Sequence, residues 1–251
     1  MREQFKILFL LLATIIVIAT YALIPQYVKV AGIELKKISL NLKPAIKNRP
    51  KSKAYYNKNK KHKNQIFLFI GDSMVEGLSK RFADYTGDNG HKLYTVIWYG
   101  STTEKWAKTN TLEYFINRYK PSYIIICLGS NELFVNDLNE REQYVKKIIT
   151  KIDKIPYLWI SPAPWNGDTG IINIIKYNTP KSNFYDSRPL KLRRGLDHYH
   201  PTRNSAAYWM NEVIHFMMKQ KENSEIKLFY PKKHHKATNT KLLQPAFEGY
   251  F

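Results

Sequence analysis

The sequence predicts an α/β fold, a parallel sheet sandwiched between helices. Two observations carry that prediction. From Gln65 onward, short apolar runs of strand length alternate with longer amphipathic stretches of helical spacing. One run, residues 122–128, is nearly all apolar, as expected for a central strand covered on both faces. The 251 residues suffice for one domain of roughly 150–200 residues with appendages.

The elements follow in order. Residues 65–70 read as a buried strand, followed by a turn and a helix to about residue 84. Residues 93–98 read as a second strand. Residues 103–119 have helical spacing, with Trp106, Leu112, Phe115 and Ile116 apolar. After the strand at 122–128 comes a helix over 138–154, then a strand at 157–160 stopped by Pro162 and Pro164. Residues 183–185 make a short fifth strand, and 202–219 a closing helix with Ala206, Trp209, Val213, Phe216 and Met217 on one face. Cys127, in an apolar run, reads as a small buried hydrophobe.

Two segments precede this domain. Residues 7–24 carry no charge, with Arg2 and Lys6 before them and Pro25 after. As a helix they span about 27 Å, enough to cross a bilayer core. A soluble helix rarely lacks polar residues on every side, so residues 1–25 are expected to be a transmembrane signal anchor. A cleavable signal peptide is the alternative, with Thr20-Tyr21-Ala22 as its cleavage site. Lys29, Lys36, Lys37 and Lys43 weigh against export by the positive-inside rule. The short N-terminal tail and apolar run nevertheless have the layout of an export signal, so the folded domain is expected outside the cytoplasm.

The net charge of +20 is unevenly placed: residues 26–64 hold twelve Lys/Arg against one Glu, whereas 65–218 carry only +4. Residues 26–64 therefore read as a basic linker, with one strand-like or amphipathic piece near 30–42. It is either a solubilising stalk or a contact for an anionic surface. Nothing resembles a nucleic-acid-binding motif, so no nucleic-acid partner is expected. Residues 65–220 make the domain and 221–251 a basic tail, in which His234 and His235 read as solvated.

In parallel sheets, sites form outside the carboxyl ends of the strands. Four motifs sit there or before the last helix. Gly71-Asp72-Ser73 follows the first strand. A serine at a strand-to-helix turn projects its hydroxyl from the sheet edge, with its N–H at a helix N-terminus that favours an oxyanion. The same tripeptide is also ordinary turn and N-cap chemistry. In Trp98-Tyr99-Gly100-Ser101, the glycine either turns the chain or offers its N–H to a ligand. In Gly129-Ser130-Asn131-Glu132, the Asn131 amide either caps a turn or faces a developing oxyanion, a contact worth roughly 3–4 kcal/mol. In Asp197-His198-Tyr199-His200-Pro201-Thr202, Asp197 and His200 can pair as orienter and base. Zinc on Asp197, His198 and His200 competes, but no further ligand has metal-like spacing. No metal or organic cofactor is expected.

In their order, these four motifs resemble the SGNH hydrolase superfamily, also called the GDSL family, over about residues 65–220. The resemblance implies a flavodoxin-like three-layer α/β/α sandwich. It implies Ser73 as nucleophile, His200 as base and Asp197 as its partner. The Ser73 and Gly100 N–H groups and the Asn131 amide would form the oxyanion hole. The chain departs from the pattern at Glu132, where many members carry Asp, and at His198, where glycine is common. Asp72, Trp98, Tyr99, Trp165, His198 and Tyr199 are the candidate substrate contacts, although several of the aromatics equally read as core.

The function expected is that of a membrane-anchored serine esterase removing O-acetyl groups from a cell-envelope or extracellular glycan. Two alternatives stand beside it: O-acetyl transfer onto a glycan with the same triad, and a catalytically silent glycan-binding or scaffold module. A soluble lipase or thioesterase would be expected to show a lid-like apolar insertion, and none is evident.

Overall fold

The computed structural model describes residues 2–23, 27–30, 33–36, 64–223 and 225–251. The chain divides into two compact units, residues 1–56 and 57–251. The first holds a helix, α1 (Arg2–Leu23), and a hairpin of β1 (Tyr27–Val30) and β2 (Ile33–Lys36), paired antiparallel with Val30 opposite Ile33. The expected strand-like piece is thus a hairpin that begins earlier. The rest of the basic linker, 37–63, lies outside the described residues.

Residues 7–23 of the expected anchor lie in α1. No helix among the described residues is long and apolar enough to cross a membrane. The side chains of α1 are described only as far as Ile16, so the second half of the expected span lies outside the described side chains.

The second unit is built on β3 (Ile66–Gly71), β4 (Lys92–Trp98), β5 (Tyr123–Cys127), β6 (Tyr157–Ile160), β7 (Phe184–Tyr185) and β8 (Asn239–Leu243). These form one sheet in the order β7-β6-β5-β3-β4-β8, and every neighbouring pair is parallel. The first five, in chain order, run 2-1-3-4-5 across the sheet, the flavodoxin-like order, and β8 extends it beyond β4.

Helices cover both faces because successive strand residues point to opposite sides. Phe67 and Phe69 of β3 pack with α2 (Met74–Asp88) and α7 (Arg203–Lys219), where Leu78, Phe82, Trp209 and Val213 are fully buried. Leu68 and Ile70 face the other way. They join Trp106 of α3 (Thr103–Lys108), Phe115 of α4 (Thr111–Tyr119), Ile148 of α5 (Leu138–Ile152) and Ile172 of α6 (Ile171–Asn178). Burial of each large side chain is worth roughly 1.5–3 kcal/mol, and β3 and β5 contribute on both faces. This explains their unbroken apolar sequences.

Two elements differ from expectation. The helix expected over 103–119 is two helices, α3 and α4. Thr109 turns its hydroxyl back onto the Lys105 carbonyl, and the Asn110 N–H donates to the Tyr250 carbonyl, so the helical ladder is interrupted. The basic tail packs in part on the domain, while His234, expected to be solvated, is 84% exposed. The tail's β8 pairs with β4, and Phe247 and Tyr250 pack against the core on the α3–α6 face. His234 Nδ1 lies 3.1 Å from Asp84 and His235 Nε2 2.6 Å from Asp88.

This packing sets a pair of expected outcomes. Leu243→Ala removes a side chain that is 4% exposed and should cost about 2–5 kcal/mol in urea unfolding. Leu242→Ala, next to it but 47% exposed, should change stability by less than about 0.5 kcal/mol. Equal, small effects would show that residues 239–243 are not part of the sheet.

Candidate active site

The loops after β3 and β5 leave the sheet side by side, at the point where the chain's crossovers change direction. At the end of β3, Gly71 adopts φ +152°, and a Cβ there would lie 1.8 Å from the Cys127 carbonyl oxygen. Only glycine fits. The Asp72 N–H donates to that same carbonyl at 3.1 Å. The chain then turns into α2 with Ser73 at the N-cap position.

Ser73 does not behave as a cap, because its side chain makes no capping hydrogen bond. Asp72 takes that role, its Oδ1 accepting from the Met74 N–H at 3.0 Å. The Ser73 hydroxyl is left free, and its Oγ lies 2.7 Å from His200 Nε2. His200 Nδ1 lies 2.7 Å from Asp197 Oδ2. Asp197 Oδ1 accepts from the Tyr199 and His200 N–H groups at 2.9 and 3.0 Å. The hydrogen bond from His200, followed by these two, holds the Asp197 carboxyl down at about 2. An ionised Asp197 can only accept, so Nδ1 carries the proton. In the neutral imidazole Nε2 is then an acceptor, and Ser73 donates to it. The structure therefore brings Ser73, His200 and Asp197 into one hydrogen-bonded line.

The loop carrying Asp197 and His200 is a narrow antiparallel turn. Arg194 bridges Pro201, the Gly195 N–H donates to the His200 carbonyl at 2.7 Å, and His198 sits at φ +63°. A left-handed backbone at 198 accounts for the fit of glycine there, and His198 points into solvent with no contact to the cleft. Arg194, which sequence reasoning missed, clamps this turn from below. Its guanidinium donates to the Tyr199 carbonyl at 2.8 Å and the Ala163 carbonyl at 2.6 Å, tying the turn to the loop after β6. The triad remains open: the Asp197 and His200 side chains are 47% and 44% exposed.

Three potential anion donors come from the loops after β3, β4 and β5. Among the described residues, neither the Ser73 nor the Gly100 N–H has a hydrogen-bond partner. Gly100 adopts φ +65°, a conformation that favours glycine. The Asn131 side-chain amide donates to the Ser101 carbonyl at 2.9 Å, and its second hydrogen remains available.

A cleft of about 450 Å³ opens beside Ser73 and Asn131. Ser73, Asn131 and His200 form its polar side; Phe134, Trp165 and Tyr199 form an aromatic wall, with ring centroids 6.1 Å apart for Phe134–Trp165 and 5.3 Å for Trp165–Tyr199. Met74, Ser130 and Val135 complete it. Phe134 and Val135 were missed. Their signal was an apolar pair in a loop just after the Gly129-Ser130-Asn131-Glu132 block, with no strand or helix to bury it.

With His198, three more of the expected substrate contacts lie outside the cleft. Trp98 is fully buried, edge-on to Trp106 and Phe247, because the C-terminal segment covers that end of β4. Asp72 is fully buried and spends both oxygens on backbone N–H groups, of Met74 and, at 3.1 Å, of Ser130. Tyr99 does not line the cleft; its hydroxyl donates to Glu76 at 3.0 Å. Among the described residues, no group of His, Cys, Asp and Glu side chains is placed to hold a metal ion.

Burial pushes the Asp72 carboxyl up from 3.8 to about 6, against the pull of its two backbone donors. The folded state therefore holds this proton more tightly than the unfolded chain. Stability from this group should fall as pH rises from about 4 to about 6, and level off above. Urea midpoints measured across that window should show this slope in the wild type and lose it in Asp72→Asn.

No protein-family model matches the chain, and no curated protein matches it. Among solved structures the chain is similar to BT4096, a gut microbial diltiazem-metabolizing enzyme, with 14% sequence identity and a TM-score of 0.43. The likeness covers 63% of this chain and 48% of that one, so the chain matches about half the length of that structure.

Proposed function

We propose that the protein is a serine hydrolase of the SGNH type that cleaves esters through an acyl-enzyme on Ser73. The observation that carries this reading is the Asp197–His200–Ser73 line, with both hydrogen bonds at 2.7 Å. His200 takes the proton of Ser73 as Oγ attacks the ester carbonyl, and Asp197 stabilises the imidazolium. The oxyanion that forms is held by the N–H groups of Ser73 and Gly100 and by the Asn131 amide. The same imidazolium protonates the departing alcohol. Water, deprotonated by His200, then cleaves the acyl-enzyme and returns Ser73 to its starting state.

The substrate of this reading is an O-acetylated cell-envelope or extracellular glycan. Its support is the aromatic wall of Phe134, Trp165 and Tyr199 beside the nucleophile. Flat rings with exposed faces suit the apolar faces of sugar rings. Membrane attachment belongs to the same proposal. The α1 side chains from Ile7 to Leu12 are all more than half exposed, an arrangement that costs free energy in water and is relieved in a bilayer.

Three outcomes are expected. A fluorophosphonate should label the wild type once, on Ser73, and label neither Ser73→Ala nor His200→Ala; a folded wild type that takes no label would remove the nucleophile. With a good label in hand, Asn131→Ala should lower kcat on p-nitrophenyl acetate roughly 10²–10³-fold. Third, residues 64–251 should release acetate from acetylated glycans at a rate well above that of Ser73→Ala. Equal release by the two proteins would sink the glycan reading while leaving the hydrolase reading intact.

A further inference from the structure

The three donor groups come from three separate loops, yet an oxyanion must meet them at one point. Two loops are tied directly by Asp72, whose carboxylate joins the Ser73 turn to the Ser130 N–H. The third, carrying Gly100, is tied by Glu132. This side chain is fully buried, and both of its oxygens go to one residue. Oε2 accepts from the Thr103 N–H and Oε1 from the Thr103 hydroxyl, each at 2.7 Å. A two-point grip of this kind fixes direction as well as distance. Arg141 balances the charge at 3.5 Å, and is itself held by Glu104 and Asp137.

Asn131 is the neighbour of Glu132 in the same single turn of 3-10 helix (Ser130–Glu132). Its amide meets the Ser101 carbonyl, two residues before Thr103. The two side chains thus grip Ser101 and Thr103, on either side of Thr102 and within three residues of Gly100. Without Glu132, the Asn131 turn would hold the Gly100 loop by a single hydrogen bond from a rotatable amide.

We propose that Glu132 is a positioning residue that sets the Asn131 turn against the Gly100 loop and so fixes the geometry of the oxyanion site. The proposal rests on the hydrolase reading for its catalytic consequence, but its mechanical part does not. Glutamine can replace the grip, because its carbonyl accepts the Thr103 N–H and its amide donates to the Thr103 oxygen. Leucine has a similar shape and no grip at all.

The experiment uses the 251-residue chain with substitutions Glu132→Leu and Glu132→Gln, each with and without Asn131→Ala. With p-nitrophenyl acetate, Glu132→Leu should lower kcat about tenfold with KM nearly unchanged, and Glu132→Gln should stay within about threefold of wild type. In the Asn131→Ala background the leucine change should cost less than about twofold, since the group it positions is gone. A full tenfold loss in both backgrounds would overturn the proposal, as a merely structural role predicts. Hydrogen exchange on the same proteins reads the grip without turnover. Residues 100–103 and 129–133 should exchange faster in Glu132→Leu and not in Glu132→Gln. Unchanged protection in the leucine variant would overturn the proposal whatever the kinetics. If the wild type neither turns over the ester nor takes the fluorophosphonate label, the hydrolase reading fails and the exchange result alone decides the grip. Should Glu132→Leu not fold, Thr103→Val removes one arm of the grip and enters the same cycle.

Discussion

The close passage of β3 against β5 is the constraint on which the site depends. Gly71 lies so near the Cys127 carbonyl that no side chain fits, and the Asp72 N–H closes the pair of strands. Two parallel strands that stay paired to their last residue must release their loops at the same place. Ser73 and Asn131 therefore emerge next to each other without any contact between them being required. The crevice is a product of strand order, and the chemistry occupies it.

Three carboxylates around this crevice have different duties, and their surroundings separate them. Asp197 sits at the surface with three donors and stays ionised, as a partner for a histidine must. Asp72 and Glu132 are fully buried, and burial pushes both upward in pKa. They spend their acceptor capacity on the protein itself, so neither is free for substrate. Desolvating a carboxylate is costly unless its lone pairs are satisfied. Here each bridges two loops, which is the return for placing charge in the interior. Such a frame holds the turns bearing Ser73, Gly100 and Asn131 in fixed relation, which is the preorganisation that the proposed hydrolase reading would need.

The turn bearing Asp197 and His200 is the least enclosed part of the site. It is anchored by its own backbone bridge, by Arg194 and by α7, whose N-cap Thr202 accepts from the Ser205 N–H. Arg194 reaches the carbonyls of Ala163 and Tyr199 together because a guanidinium presents several donors in fixed directions. The same loop after β6 brings Trp165 to the cleft, so one arginine ties the His200 turn to the loop that carries part of the aromatic wall.

Much of this was legible in the sequence because it is local. Apolar runs between helical spacings marked β3 to β7 and the helices α2, α5 and α7 to within a few residues. Each of the four motifs alone also read as ordinary turn chemistry; it was their order, and the family resemblance it carries, that pointed to Ser73, Gly100, Asn131, Asp197 and His200. Other features were decided only by tertiary structure. Asp72 beside Ser73, and Trp98 beside Gly100, turn inward because of what lies across from them, the Ser130 N–H in one case and Phe247 in the other. The strand β8 pairs with β4 across some 140 residues of chain and lies at the sheet edge, with four of its five residues exposed. An edge strand buries too little to need an apolar pattern, so Asn-Thr-Lys-Leu-Leu carried no signal of its own. A sequence records what each residue needs from its near neighbours. Which distant group will meet it is settled when the sheet closes around it.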